Sequence, residues 1–448
     1  LGLFFRKEHA FLKDTSLSLI AANPMLRADA HDGLLFEGIP LAAIAAKHGT
    51  PCWVYGADTV RRRFRRLRAA MPGVAIHYAV KANDHLAILS LLAAEGVGAD
   101  VVSAGEFLRA QQAGIAPASI VFSGVGKTEA EFTLALNAGV GQFNVESAEE
   151  LRELSVLAAA RRAVARVALR VNPDVDAGTH DKIATGRAGD KFGIPAPLIE
   201  SLYAEAARLP GIRPVGLAVH IGSQVMGVTP FAAAYRKLAD LVRALRAKNL
   251  PVEMVDCGGG LGIAYAGEPE PLPEAWAGAL FNAFTGMGLR LAIEPGRWLV
   301  GPAGLLLASV IRTKREGMDR PIVILDAAMN DLARPAMYGA WHGIIPVAAS
   351  ALASPCEIAD IAGPVCESAD IFGRGREIPR LDRNAVVAIL DCGAYGAVMS
   401  STYNARPFAP QIMVDGRSAR AAGVAAIRPR QSHRNLWETE RLPDQTGS

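Results

Sequence analysis

The chain has 448 residues, 51% of them hydrophobic and 20% charged, a globular composition long enough for two or three domains. Lysine and arginine number 47 against 44 acidic residues, so the net charge of +3 gives no general attraction to nucleic acid or an anionic membrane, and any anion must be held locally. The five cysteines, Cys52, Cys257, Cys356, Cys366 and Cys392, are widely spaced and include no Cys-x-x-Cys, which argues against a disulfide framework or a zinc ribbon and for a reducing compartment.

Residues 1–25 read as an N-terminal extension. Leu1–Phe5 is apolar, but Arg6, Lys7 and Glu8 end the run well short of a signal-peptide core. Later apolar runs are broken before the roughly 18 residues a membrane helix needs, so a cytoplasmic location with no membrane partner is expected. The segment 26–56 carries short apolar runs at Leu34-Leu35-Phe36 and Cys52-Trp53-Val54-Tyr55, and is expected to join a β domain completed by 308–430. Arg61-Arg62-Arg63-Phe64-Arg65-Arg66-Leu67-Arg68 invites a nucleic-acid reading. Val60, Phe64 and Leu67 form an apolar stripe at helical spacing, however, so the arginines are expected to be the solvated face of a first helix.

Across 57–307, strand-like runs at 76–81, 98–102, 119–123, 141–145, 165–171, 215–221, 252–257 and 290–294 alternate with helical patterns at 84–95, 103–113, 128–138, 147–160 and 229–247. Ser147 and Thr229 stand where N-caps are expected. The alternation predicts an α/β fold, a parallel (β/α)8 TIM-type barrel whose chemistry sits at the carboxyl ends of the strands. The connection 172–196, with Asp174, Asp176, His180, Lys182 and Lys191, is long enough to be a loop that covers a ligand.

The strand ends carry the chemistry. Lys81 ends the first run, where partial desolvation would favour a neutral, nucleophilic amine. His220 closes the sixth and could lie flat against a ring, with Ser223 turned toward a phosphate. Gly258-Gly259-Gly260 follows the seventh, offering bare backbone amides to a phosphate, and Glu294-Pro295-Gly296-Arg297 ends the eighth. A carboxylate there can hold the proton of a pyridine nitrogen, although an ion pair with Arg297 would also explain Glu294. An amine, an imidazole, a phosphate-sized glycine turn and a carboxylate facing one cavity are the parts needed to hold pyridoxal 5'-phosphate, and no metal site is expected.

Beyond 308, short β-rich runs at 309–313, 321–325, 356–361, 385–390 and 410–414 predict a mainly antiparallel β-barrel or sandwich, discontinuous in sequence, and 431–448 reads as a tail. Arg334 and Tyr338 could bind a carboxylate by a guanidinium fork and a hydroxyl. Cys366-Glu367-Ser368 sets a thiol beside an acid, and Gly393-Ala394-Tyr395-Gly396 would present a tyrosine hydroxyl from a turn.

In this order the motifs resemble those of the alanine-racemase-like, fold type III pyridoxal-phosphate enzymes, and among them the diaminopimelate decarboxylases, over about Gly33 to Arg428. The narrower likeness rests on Asn330-Asp331 through Arg334-Pro335 to Tyr338, on Cys366-Glu367-Ser368 and on Gly393–Gly396; Ala369 stands where that family more often has glycine. The resemblance implies that Lys81 carries the cofactor, His220 stacks on its ring, Ser223, Gly259, Gly260 and Gly296 serve its phosphate, Glu294 faces the ring nitrogen and Tyr395 contacts it. It further implies that Arg297, Arg334 and Tyr338 hold the distal end of a small amino-acid substrate, with Glu367 on its ammonium. Cys366 would be the proton donor, reaching the site of the other subunit of a homodimer. The implied reaction is decarboxylation of meso-2,6-diaminopimelate to L-lysine.

Overall fold

The computed structural model describes residues 16–178, 185–186, 189–416 and 423–442. Eight parallel strands, β1 (Ala75–Ala79), β2 (Gly98–Val101), β3 (Ile120–Phe122), β4 (Gln142–Val145), β5 (Ala165–Asn172), β6 (Ile212–Val219), β7 (Met254–Asp256) and β8 (Arg290–Ile293), pair in sequence order. Pairing of Ala292 with Ala75 joins β8 to β1 and closes the ring. The eight runs expected from sequence are these strands; with helices outside and packed side chains inside, each reads as a short apolar run.

The first barrel helix, α1 (Ala57–Ala70), buries Val60, Phe64 and Leu67 completely. Arg62, Arg65, Arg66 and Arg68 form the expected solvated face, while Arg61 and Arg63 are largely withdrawn from solvent. Arg61 pairs with Asp415, Arg62 with Asp58, Arg63 with Glu270, Arg65 with Glu95 and Arg66 with Glu274, so the basic run is largely matched by the molecule's own acids. The helix Ala148–Ala160 is capped as predicted, Ser147 Oγ accepting from the Glu150 amide at 3.1 Å. Thr229 is not a cap. Val228 is already helical and its carbonyl accepts the Ala232 amide at 3.0 Å, so the helix Thr229–Ala247 starts one residue earlier and Thr229 falls within its first turn.

The second sheet is organised on the strand Gly304–Lys314, which pairs antiparallel with Cys52–Gly56, Ile322–Leu325 and Val386–Ile389. It is mostly antiparallel, with parallel pairings of Ile322–Leu325 to Cys356–Ala362 and of Gln411–Val414 to Cys52–Gly56. Strand periodicity explains its place in the molecule. Cys52, Val54, Leu305 and Leu307 face a core that also holds Phe36, Ile345 and Ile412, while Trp53, Tyr55, Leu306 and Ala308 join the large core shared with the barrel. With both faces of its central strands buried, the sheet is fixed against the barrel and its loops reach the strand ends. Three strands not foreseen, Ile344–Pro346, Ile371–Pro379 and Val424–Arg428, extend it. Among the described residues no helix is long and apolar enough to cross a membrane.

Candidate active site

Lys81 lies in a single 3-10 turn, Val80–Ala82, immediately beyond β1, and Gly296 packs against that turn: a Cβ there would meet the Ala82 and Ala79 methyls at 3.0 and 3.1 Å. The ammonium Nζ is 2.5 Å from Oδ2 of Asp100, a fully buried residue of β2. This changes the expected protonation. Burial disfavours the ammonium, but the charge of Asp100 and its hydrogen bond outweigh it and hold the amine charged, above its ordinary range.

His220 follows β6, and its Nδ1 accepts the Gly259 amide at 3.2 Å, which leaves the ring proton on Nε2. Burial, then Arg170 and Lys81, keep the imidazole well below its usual pKa and therefore neutral. The glycine turn is bare for a packing reason. A Cβ on Gly259 would lie 2.0 Å from the Glu294 carbonyl oxygen, and one on Gly260, at φ +109, 2.3 Å from that of Gly222.

Glu294 is not paired with Arg297. Its Oε1 accepts from Asn144 Nδ2 at 3.1 Å, reaching across the barrel from β4. Burial and the neighbouring carboxylates of Asp100 and Asp256 push it well above the usual carboxylate range, only partly offset by Lys81, so the group is held protonated. Arg297 instead donates through Nη1 to the Tyr265 hydroxyl at 2.8 Å and through Nη2 to Ser223 Oγ at 3.0 Å, with the Tyr395 ring 4.8 Å from its guanidinium carbon. Its buried Nε has no protein partner. Tyr395 holds a left-handed backbone (φ 55) while its amide donates to the Ala82 carbonyl at 2.8 Å, which ties the β domain to the Lys81 turn.

Lys81, His220, Ser223, Arg297, Arg334, Tyr338 and Tyr395 line one cavity of about 340 Å³. Cys366 and Glu367 do not line it. They sit on an exposed turn of the β domain, where the Cys366 amide donates to Asn404 Oδ1 at 3.0 Å and Tyr403 donates its hydroxyl to Glu367 at 3.1 Å. Ala369 in that turn has no left-handed backbone, so the turn does not require glycine there. Of the connection 172–196, Thr185 lines the cavity and donates its hydroxyl to the His220 carbonyl at 2.9 Å, whereas His180 and Lys182 lie outside the described residues.

Sequence reasoning missed Asp100, Asn144, Tyr265 and His342. Asp100 and Asn144 are polar residues within strands otherwise rich in apolar ones, a signal of an inward role at a barrel centre. Tyr265, a few residues past the glycine turn, stood where a strand-end loop should be searched. His342 gave no local signal.

The description of the family model that matches residues 57–301 is "Pyridoxal-dependent decarboxylase, pyridoxal binding domain". The chain is 47% identical over 414 residues to the diaminopimelate decarboxylase of Zymomonas mobilis, covering 91% of this chain and 96% of that one. Identity to the Aquifex aeolicus diaminopimelate decarboxylase is 41% over 418 residues, 93% of this chain and 97% of the other. The crystal structure of the Helicobacter pylori diaminopimelate decarboxylase complexed with L-lysine superposes with a TM-score of 0.85 at 36% identity, covering 89% of this chain and 99% of that one.

Proposed function

This chain belongs to the diaminopimelate decarboxylases, and from that premise we propose that it removes the carboxylate from the D-configured centre of meso-2,6-diaminopimelate, releasing carbon dioxide and L-lysine as the last step of lysine biosynthesis. The observation that carries the proposal is one cavity lined both by an amine, Lys81, and by two buried guanidiniums, Arg297 and Arg334. A substrate with an amino acid at each end matches both. Basic amino acids and diamines without a remote carboxylate would leave those buried charges unanswered.

The residues fit pyridoxal 5'-phosphate: Lys81 offers the primary amine, Gly259 and Gly260 offer backbone that no side chain can cover, and the buried Arg297 Nε lacks a protein acceptor. Lys81 would tether the group, His220 would lie against its ring, Ser223, Gly259, Gly260 and Gly296 would serve its phosphate, and Tyr395 would close over it. When bound, the pyridoxal ring supplies a sink for the electron pair left as carbon dioxide departs. Glu294, held protonated by its surroundings, would face the ring nitrogen and share its proton with it. Asp100 holds the Lys81 nitrogen at the base of the cavity. Arg297, Arg334 and Tyr338 grip the remote carboxylate, so that binding energy away from the reacting carbon sets the orientation of the bond that breaks.

Cys366 and Glu367 act in the site of a second copy. Their exposed turn, outside their own cavity, supports a homodimer in which Cys366 delivers the proton to the carbon that has lost carbon dioxide and Glu367 receives the remote ammonium. All five cysteines are free, which supports a cytoplasmic location. The test is carbon dioxide release by the holoenzyme from meso-diaminopimelate, ornithine, arginine and lysine. Turnover confined to the first is expected; preferential turnover of ornithine, arginine or lysine would overturn the proposal.

A further inference from the structure

We propose that His342 is a positioning residue of the substrate clamp, fixing the guanidinium of Arg334 in the orientation that meets the remote carboxylate. This rests on the reading of Arg334 as the residue that grips that carboxylate. Arg334 Nη1 lies 2.7 Å from His342 Nε2, and the other ring nitrogen, Nδ1, lies 2.8 Å from the Leu390 carbonyl oxygen. A guanidinium has only donors, so Nε2 must accept and the ring proton must sit on Nδ1, where the carbonyl takes it. The geometry therefore selects one tautomer of a neutral imidazole.

The ring is also held in place. It is 1% exposed and meets the edge of Tyr265 with centroids 5.2 Å apart and planes at 80°. The Arg334 guanidinium carbon lies 4.7 Å from the Tyr265 ring centroid, while the Tyr265 hydroxyl accepts from Arg297. Both arginines are thus mounted on one Tyr265–His342 frame, which joins a barrel loop to the β domain, where Leu390 anchors the imidazole. Burial and the charges of Arg334, Arg297 and Arg376 keep His342 uncharged.

A neutral acceptor suits this position chemically. A carboxylate beside Arg334 would orient it equally well but would cancel its charge and compete with the substrate's own carboxylate. Imidazole holds one edge of the guanidinium and leaves its charge to the cavity that Arg334 lines.

The experiment is steady-state kinetics of the holoenzyme for His342→Phe, His342→Gln, Arg334→Met and the double variant His342→Phe/Arg334→Met. Phe keeps a ring of similar size without the acceptor, and Gln returns an acceptor near the Nε2 position. His342→Phe should raise KM for meso-diaminopimelate roughly tenfold, about 1.4 kcal/mol, with a smaller change in kcat, and His342→Gln should recover part of that loss. The inhibition constant of L-lysine, which retains the remote carboxylate, should rise by the same factor. That of 1,5-diaminopentane, which has none, should not move, a separation that a merely structural role would not produce. In the Arg334→Met background, His342→Phe should add no further effect. The inference is overturned by an unchanged KM in His342→Phe, by parallel shifts for the two inhibitors, or by the same factor in both backgrounds. An unchanged KM in Arg334→Met would instead overturn the reading of Arg334, and this inference with it. If His342→Phe does not fold, His342→Asn, which reaches Leu390 but not Arg334, compared with His342→Gln makes the same test.

Discussion

At the scale of single residues, the cavity floor sets one group held in its ordinary charged form beside one held against its solution preference. Lys81 is held charged by Asp100, and Glu294 is held protonated by burial beside two other acids. If Glu294 supplies the proton at the ring nitrogen, Glu294→Ala should lower kcat by about a hundredfold or more while the cofactor's visible absorbance persists. Single-turnover and steady-state rates check this, and near-normal turnover would remove Glu294 from the chemistry. Asp331 shows a similar conflict without a reacting partner. Burial pushes its carboxyl up to about 6, although it accepts the Ala328 amide at 3.0 Å. A raised folded-state pKa means the native state binds the proton more tightly than the unfolded chain, so this group's contribution to stability falls as pH rises from about 4 through about 6. Asp331→Asn keeps an acceptor and cannot titrate. The stability of wild type relative to this variant should therefore fall by at most about 3 kcal/mol between pH 4 and 7, measured by denaturant unfolding. A pH-independent difference would contradict the assignment.

At the scale of elements, what was legible in the sequence depended on whether its cause is local. The eight barrel strands could be read because each is a short apolar run between turn signals, and α1 because its stripe of Val60, Phe64 and Leu67 survives among five ion-paired arginines. The strand Ile371–Pro379 was missed because Gly373, Arg374, Gly375 and Arg376 interrupt its alternation; its place comes from pairing with Cys356–Ala362. Ser147 and Thr229 look alike in sequence, yet only Ser147 has an extended backbone and accepts an amide, because the turn at Val228 starts its helix early. Ser147→Ala should cost about 1 kcal/mol and Thr229→Ala less than about 0.5, by thermal or denaturant unfolding. Equal costs would contradict the difference in capping.

At the scale of the whole molecule, the site is assembled from strand ends far apart in sequence and from loops of a sheet whose central strands are buried on both faces. Individual motifs at Lys81, His220, Glu294 and Tyr395 could be recognised because each sits at a strand end or in a turn. Their partners were harder: Asp100 and Tyr265 carry only a general signal of an inward or strand-end place, and His342 none, because their contacts form only when β2, the loop after β7 and the β domain meet. The exposed Cys366 turn extends the same logic to a second copy. If the sites are shared, inactive Lys81→Ala and Cys366→Ala proteins, mixed and allowed to exchange subunits, should regain about a quarter of wild-type activity, since each hybrid dimer holds one site with both native residues. No recovery after demonstrated exchange would place Cys366 outside the partner's chemistry.

The most direct measurement of the central claim is to reduce the holoenzyme with borohydride and locate the pyridoxyl group by peptide mass spectrometry. Attachment at Lys81 is predicted. Attachment at another lysine, such as the buried Lys127 that here donates to the Gly124 and Asn144 carbonyls at 2.8 and 2.7 Å, or no attachment in active protein, would contradict the account.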